Sequence, residues 1–172
     1  MKKLKTNTQM KSNKIIQTLI AFLLVFPALS WAGQYRIIQV YDGDTIQVDK
    51  MGKKSTVRLA GIDAPENKQP FSKDAHKYLE DLCLNHTADI KSYGIDRYGR
   101  TLGTVILFDT TDAGLEMIKA GLAEVYRERS PAGVDLRPYM EAETEARKKG
   151  LGMWSLGEKY ISPRDWKRNI WD

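Results

Sequence analysis

The chain has few of the residues that form covalent cross-links or soft-metal sites. Cys83 is the only cysteine among 172 residues, which excludes an intramolecular disulfide and a zinc site built from several thiolates. Only His76 and His86 supply imidazole, and two isolated histidines are typical of surface positions. A chain of this length buries a sufficient core without cross-links. The candidate functional side chains are therefore carboxylates and arginines.

The chain also lacks a charge excess beyond its N-terminus. The formal charge is +5, but residues 1–32 contain five lysines and no acidic residue, while residues 33–172 contain 22 basic and 22 acidic residues. The overall charge is thus no argument for nucleic-acid binding. Locally, residues 109–145 carry five excess acidic charges and residues 147–168 five excess basic charges. The basic stretch either tracks a phosphate backbone or forms a solvated tail.

A long apolar run lies near the N-terminus. Residues 1–14 carry the five lysines, residues 15–29 are mostly apolar, and Ser30 and Ala32 place small residues at a cleavage triplet. This order predicts a secretory signal peptide, residues 1–32, cleaved after Ala32, and hence a periplasmic or secreted protein. The apolar run is shorter than the ~20 residues of a membrane span. The alternative is an uncleaved anchor.

The hydrophobic pattern of residues 33–172 predicts one domain of strands and helices. We predict strands at 35–41, 45–49, 55–62, 87–93 and 101–108, and helices at 72–84, 112–120 and 136–149. The first helix has Ser72 as its N-cap and an apolar stripe that places Cys83 on the buried face. Five strands with a helix between the third and fourth predict a mainly β fold. The architecture we expect is a five-stranded OB-fold barrel with about three α-helices.

Four carboxylates cluster at two predicted chain reversals. Asp42 and Asp44 lie in the turn after the first strand, and Asp63 and Glu66 follow the third strand. The two reversals converge if the first and third strands are neighbours in the barrel. Carboxylates without imidazole or thiolate favour a hard cation, calcium first and magnesium second. The alternative is that each acid serves only its own turn.

Two arginines accompany these carboxylates. Arg58 lies within the third predicted strand, and Arg100 closes a tight turn before an apolar strand. A planar guanidinium binds two phosphate oxygens at once, and a metal with two arginines suits the charge that develops during phosphodiester displacement. Glu66 can then orient or deprotonate the attacking water. Because Arg58 and Asp63 are five residues apart, either Asp63 lies beyond the strand or Gly61 marks a bulge. The alternative for each arginine is a solvated surface side chain.

Three charged segments together resemble the staphylococcal nuclease-like (thermonuclease) family. They are VYDGDT at 40–45, RLAGIDAPE at 58–66 and DRYGR at 96–100, followed in matching order by 121–123 and 150–154. The resemblance covers about residues 35–156, with a basic segment at 157–172 beyond it. It implies an OB-fold barrel and calcium-dependent hydrolysis of DNA and RNA, in which water attacks phosphorus and 3′-phosphate ends remain.

The resemblance also implies a metal site. Asp44 and Asp63 would bind calcium through their carboxylates and Ala64 through its backbone carbonyl. Asp42 resembles an acid that lies near the metal without binding it directly. The family prototype has threonine in place of Ala64, a change that a carbonyl ligand tolerates.

The remaining roles implied by the resemblance concern the substrate. Glu66 resembles the general base or water-positioning group, and Arg58 and Arg100 resemble the phosphate clamps. The prototype places tyrosines against the nucleotide, whereas the corresponding stretch 124–129 has one tyrosine, displaced by one position. The favoured interpretation of this stretch is therefore an ordinary strand after a helix. Further candidates for substrate contact are Arg97, Tyr98, Tyr126 and Arg127.

The sequence thus predicts a secreted or periplasmic, calcium-dependent, sugar-nonspecific nuclease. It is expected to act on DNA and RNA as a monomer, without stable membrane association once the signal peptide is removed. Two alternatives remain open. One is a non-catalytic OB-fold module that binds nucleic acid. The other is a membrane-anchored interaction protein with an incidental calcium site.

Overall fold

The computed structural model describes residues 34–107, 110–127 and 130–171. The predicted signal peptide and its cleavage site after Ala32 lie outside the described residues. The strands are β1 (Tyr35–Val40), β2 (Thr45–Lys50), β3 (Lys53–Leu59), β4 (Ile62–Asp63), β5 (Thr87–Ile95), β6 (Thr101–Leu107) and β7 (Glu124–Val125). The α-helices are α1 (Ser72–Cys83), α2 (Ala113–Lys119), α3 (Arg137–Lys148) and α4 (Pro163–Trp171), with a 3₁₀ segment at Gly152–Lys159. Within the described ranges, every helix is too short or too polar to cross a bilayer.

Five strands close into a barrel in the order β1-β2-β3-β6-β5. The paired strands are antiparallel except β3 and β6, which are parallel. Ile46 and Val48 of β2 are fully buried and Gln47 between them is not, as expected of a strand with one face on the core. The predicted five-stranded barrel is confirmed.

The predicted strand 55–62 is two strands in the structure. β3 ends at Leu59, and Gly61 has a φ of +81°, a left-handed conformation that glycine adopts without a Cβ penalty. The chain reverses there, and β4 pairs with β7, so that Asp63 lies opposite Glu124. Asp63 is therefore beyond the end of β3, which is one of the two arrangements required by its offset from Arg58.

The two acidic reversals converge through β2. The condition stated for their convergence, that the first and third strands are neighbours, is not met, because β2 lies between β1 and β3 in the barrel. Thr45 of β2 pairs with Arg58 of β3, and the Leu59 N–H donates to the backbone carbonyl of Asp44 at 2.8 Å. Asp44 is thereby brought to the end of β3 where Arg58 lies.

Helix α1 covers one side of the core with the predicted apolar stripe. Ala75, Leu79 and Cys83 are fully buried. The helix does not begin as predicted: the N-cap is Phe71, with a φ of +67° and no side-chain cap, so Ser72 is not the capping residue. Phe71 packs against the core, and this packing replaces a polar cap in fixing where the helix begins.

The chain after α3 returns to the turn that follows α2 through a contact between two glycines. The Met153 N–H donates to the carbonyl of Gly121 at 2.9 Å. A Cβ on Gly121 would lie 2.2 Å from the carbonyl oxygen of Leu151, and a Cβ on Gly152 would lie 2.2 Å from that of Gly121. Only glycine permits this approach, which accounts for two of the glycines in the segments 121–123 and 150–154.

The basic segment 157–172 contains a helix that the hydrophobic pattern did not predict. The Ser162 hydroxyl accepts a hydrogen bond from the Asp165 N–H at 3.0 Å and donates to the Asp165 carboxylate at 2.9 Å. Pro163 occupies the first helical position, where a missing N–H costs nothing. This capped start of α4 means that the segment is not an irregular solvated tail.

Candidate active site

The turn after β1 is packed against β4. Asp44 is 6% exposed, and its carboxylate accepts hydrogen bonds from the Ala64 N–H and the Thr45 hydroxyl, each at 3.0 Å. Gly43 permits this packing, because a Cβ there would lie 2.7 Å from the Cβ atoms of both Ala64 and Ala75. Asp44 therefore does more than form its own turn: it joins the turn to Ala64, the residue directly after Asp63.

The guanidinium of Arg58 lies between two carboxylates. Its Nη2 donates to Asp63 Oδ1 at 2.6 Å, and its Nη1 forms an ion pair with Asp44 Oδ2. Burial by itself would lower the pKa of Arg58, but attraction from Asp44 and Asp63 outweighs it and raises that pKa above its usual value. Arg58 is therefore a permanent cation at the centre of this cluster.

Carboxylates outnumber that cation. Burial raises the pKa of Asp63 to about 6, against the attraction of Arg58. Desolvation, and then repulsion from Asp44, raise the pKa of Asp42 to about 6 as well. Asp42 accepts a hydrogen bond from the Asp44 N–H at 3.0 Å, which keeps the two carboxylates close. Desolvation is the main cause of both raised pKa values and repulsion from Asp44 adds to it, so a cation bound beside these carboxylates would favour their charged forms.

The donors in this cluster fit a hard cation with few protein ligands. Asp44 and Asp63 supply carboxylate oxygens, and Ala64 supplies a backbone carbonyl directly after Asp63. In the described part of the chain, no group of three or more His, Cys, Asp and Glu side chains is arranged to enclose a metal. A cation here would complete its coordination with carbonyl groups and water, as calcium and magnesium do in proteins.

Glu66 lies at the rim of the cluster and is held from two sides. Its backbone N–H donates to Gln69 Oε1 at 2.8 Å, and the Gln69 N–H donates to the Glu66 carbonyl at 2.9 Å. Its carboxylate forms an ion pair with Lys167 of α4. The Glu66 side chain is still 27% exposed, so water reaches its carboxylate.

The turn between β5 and β6 carries Arg100. Asp96 Oδ1 accepts hydrogen bonds from the Tyr98 and Arg100 N–H groups, and Asp96 Oδ2 accepts one from Arg100 Nε at 2.7 Å. Against a desolvation cost, these bonds from Arg100 lower the pKa of Asp96. Arg97 and Arg100 both lie over the exposed ring of Tyr98, at 4.9 and 5.4 Å from its centre. The turn therefore presents two cations and one aromatic ring together.

The stretch after β7 separates two of the predicted substrate-binding residues. The Tyr126 N–H donates to the Gly61 carbonyl at 2.9 Å, which keeps Tyr126 beside the reversal that precedes Asp63. Arg127 instead donates to the carboxylate of Glu143 on α3 at 2.5 Å. Glu143 is 2% exposed and also accepts the Val125 N–H at 2.9 Å. In this structure Arg127 serves a buried carboxylate outside the cluster around Arg58.

One open cleft of about 1200 Å³ collects most of these groups. The predicted site residues that line it are Asp42, Asp44, Arg58, Asp63, Glu66, Arg97, Tyr98, Arg100 and Tyr126. Ala64 is buried beside Asp44 and Arg127 does not line the cleft. Three further cations line it from α4, namely Arg164, Lys167 and Arg168.

The residues of α4 and Gln69 are the parts of the site that the sequence analysis missed. The order Ser162, Pro163 and Asp165 is the pattern of a capped helix start and is a signal that predicts α4. The three cations then follow at helical spacing on one face. For Gln69 no sequence signal exists, because its role depends on contacts with Glu66 and with the distant Ile161 carbonyl at 2.8 Å.

Comparison with known proteins assigns the family. The model for "Staphylococcal nuclease homologue" matches residues 56–156. An "uncharacterized endonuclease" of Haemophilus influenzae is 36% identical over 164 residues, which cover 92% of this chain and 88% of the relative. A "micrococcal nuclease" of Shigella flexneri is 34% identical over 157 residues, with 86% of this chain and 88% of that protein covered. The "probable endonuclease LCL3" of Coccidioides posadasii is 44% identical over 133 residues, which cover 66% of this chain but only 43% of that protein. With its barrel, its acid-arginine cluster and these relatives, the chain belongs to the staphylococcal nuclease homologue family.

Proposed function

We propose that this protein is an exported, calcium-dependent nuclease that hydrolyses phosphodiester bonds in DNA and RNA. The observation that carries the proposal is the Arg58 guanidinium held between Asp44 and Asp63, with Glu66 in the same open cleft. This arrangement supports the proposal because it would supply a cation site, an anion clamp and a base side by side. The names of the relatives, endonuclease and micrococcal nuclease, support the same activity.

The arginines would bind the phosphate that is attacked. Arg58 and Arg100 line the cleft. Arg58 also contacts the carboxylates of Asp44 and Asp63, and Arg100 that of Asp96. A guanidinium has five N–H donors, so each arginine retains donors beyond those that these carboxylates use. Two positive charges close to the phosphate favour the transition state, in which negative charge accumulates on the phosphorus oxygens.

Glu66 would orient or deprotonate the attacking water. Its partly exposed carboxylate can accept the proton of a water molecule, or hold that water in line with the phosphorus. Attack at phosphorus forms the new P–O bond and breaks the bond to the 5′-oxygen, which leaves as a 5′-hydroxyl after protonation. The other product retains a 3′-phosphate.

Asp44 and Asp63 would hold the metal through carboxylates, together with the carbonyl of Ala64. A bound calcium ion would supply Lewis-acid stabilisation of the phosphate and favour deprotonation of water beside it. We propose calcium before magnesium because calcium accepts carbonyl ligands and irregular geometry, whereas magnesium demands a near-octahedral arrangement.

Hydrolysis of heat-denatured DNA with calcium, with magnesium and with chelator tests the proposal. We expect cleavage with calcium, none with chelator, and products that a polynucleotide kinase labels directly because their 5′ ends are hydroxyls. Cleavage that requires magnesium would overturn the choice of calcium, and unlabelled products would overturn the bond assignment. Oligonucleotide binding by the folded protein without cleavage under any condition would favour the non-catalytic binding module.

Export and the monomeric state are tested separately. The order of charged, apolar and small residues in 1–32 supports export. We expect mass spectrometry of the protein from a periplasmic or culture fraction to give an N-terminus at Gly33. An intact N-terminus in the membrane fraction would overturn this and favour the anchored alternative. Light scattering of the purified protein tests the monomer.

A further inference from the structure

Helix α4 presents three cations on one face. Arg164, Lys167 and Arg168 are at positions i, i+3 and i+4, which lie on the same side of a helix. All three line the cleft that contains Arg58 and Glu66. The side chains of Lys167 and Arg168 are 53% and 68% exposed, so their charges face solvent at the mouth of the cleft. We call Arg164, Lys167 and Arg168 the basic face of α4.

The position of this face is fixed by contacts on the other side of the helix. Trp166 lines a small cavity together with Gln69 and Tyr160, and Pro163 is fully buried. The Gln69 side-chain amide donates to the Ile161 carbonyl just before α4, while its Oε1 accepts the Glu66 N–H. The buried side chain of Gln69 thus connects Glu66 to the start of α4. The basic face is therefore built into the site.

The centre of the cleft and the edge formed by α4 differ in charge. The centre holds several carboxylates around Arg58, and a polynucleotide there is repelled unless a cation compensates. The edge formed by α4 carries three cationic side chains, of which Lys167 pairs with Glu66 and Arg168 contacts Asp165 at 3.9 Å. A polynucleotide carries a phosphate at each nucleotide, so a strand cleaved at the centre has neighbouring phosphates that need partners.

We propose that the basic face of α4 binds the phosphates that flank the scissile one in a polynucleotide substrate. This inference rests on the proposed nuclease function. Lys167 pairs with Glu66 in the free protein and so lies beside the group that we propose to act on the attacking water. Arg164 and Arg168 bind phosphates farther along the strand. The face recognises phosphate and not base, so its contribution is independent of sequence and grows with substrate length.

The test compares two double variants that remove the same charge. Arg164→Gln with Arg168→Gln neutralises the outer part of the face and leaves the Lys167 contact to Glu66 intact. Lys53→Gln with Lys54→Gln is the matched control, because both lysines are exposed at the end of β3 opposite to Arg58. Thermal unfolding is measured first to check that each variant is folded. The probes are a labelled 20-nucleotide single strand of DNA and a dinucleotide.

Binding of the 20-nucleotide strand is measured by fluorescence anisotropy in chelator, over a range of salt concentrations. We expect the Kd of the α4 double variant to rise about tenfold, with a salt slope reduced by about 1.4, because each single-strand phosphate contact contributes about 0.7. The control should change Kd less than twofold. An equal change in both double variants would overturn the proposal.

Cleavage separates this proposal from the proposed function. In the α4 variant, we expect the KM for the 20-nucleotide strand to rise at least fivefold more than the KM for the dinucleotide. The same loss on both substrates would contradict binding at flanking phosphates. If the unsubstituted protein cleaves neither substrate with any cation, the nuclease function is overturned, and the anisotropy series still decides whether α4 binds the strand.

Discussion

Arg58 and Asp63 are joined by a hydrogen bond of 2.6 Å across the chain reversal at Gly61. The same guanidinium contacts Asp44, which arrives from the turn before β2. One side chain therefore fixes the distance between the two carboxylates that we propose as metal ligands. This requires the planar fork of arginine, because a lysine ammonium is a point charge on a flexible stem.

Arg58→Lys should lower kcat on denatured DNA by about 10²- to 10³-fold while the protein remains folded. Lysine keeps the charge but cannot hold Asp44 and Asp63 together and still donate to a phosphate. Arg36→Lys, at an exposed position of β1, is the matched control and should change kcat less than twofold. Activity of the Arg58 variant within threefold of the unsubstituted protein would contradict the clamp.

Gly121→Ala should destabilise the fold far more than Gly52→Ala. Both glycines have positive φ, +69° and +85°, so both variants carry the left-handed strain of about 1 kcal/mol. Only at Gly121 does the new Cβ meet a backbone carbonyl, whereas the surroundings of Gly52 are open. We expect urea unfolding to give a loss of about 3 kcal/mol or more for Gly121→Ala and about 1 for Gly52→Ala. Equal losses would mean that the contact with the 3₁₀ segment does not constrain the chain.

Glu143→Ala should cost about 2–4 kcal/mol of unfolding free energy. The substitution removes the acceptor of the buried Val125 N–H and the partner of Arg127. Glu141→Ala, at an exposed position of the same helix, should change stability by less than about 0.5 kcal/mol. Chemical denaturation of both variants checks this, and a small loss for Glu143→Ala would contradict a structural role of its ion pair.

Cys83 should resist alkylation by iodoacetamide in the native protein at pH 8 and react only after unfolding. Burial raises the pKa of the thiol to about 12, and its Sγ donates to the Leu79 carbonyl at 2.9 Å. An unfolded cysteine ionises near pH 8.5. The folded state therefore holds more protons above that pH, and this thiol makes stability fall as pH rises toward 12. Cys83→Ala should flatten that part of the stability profile, and labelling of native protein at pH 8 would contradict the buried assignment.

The barrel could be predicted from the sequence because each of its strands, and helix α1, has one buried face. The stripe of Ala75, Leu79 and Cys83 is an example in which burial alone determines the pattern. The start of α1 was not accessible, since Phe71 is fixed by packing against the core and not by a local polar cap. The closure of the barrel also had to come from the structure, because the pairings of β1 with β5 and of β3 with β6 join strands far apart in the sequence.

The candidate site could be predicted from the sequence where the residue types and their spacing indicate the same chemistry. Asp44, Asp63 and Glu66 are charged residues close to the ends of predicted strands and Arg58 lies within one, and the structure collects all four in one cleft. The contribution of Lys167 was not accessible, because its pairing with Glu66 links residues about a hundred positions apart. The roles assigned to Asp44, Arg58, Asp63 and Glu66 remain predictions.

Glu66→Gln, compared with Glu80→Gln, tests the central claim most directly. Both glutamates are partly exposed, but Glu80 belongs to α1 and does not line the cleft. The measurement is kcat for hydrolysis of denatured DNA at saturating calcium, with binding of the strand followed in parallel. We predict a loss of about 10²- to 10⁴-fold for Glu66→Gln with the strand still bound, and a change of less than twofold for Glu80→Gln. Full activity of a folded Glu66→Gln variant would contradict the account.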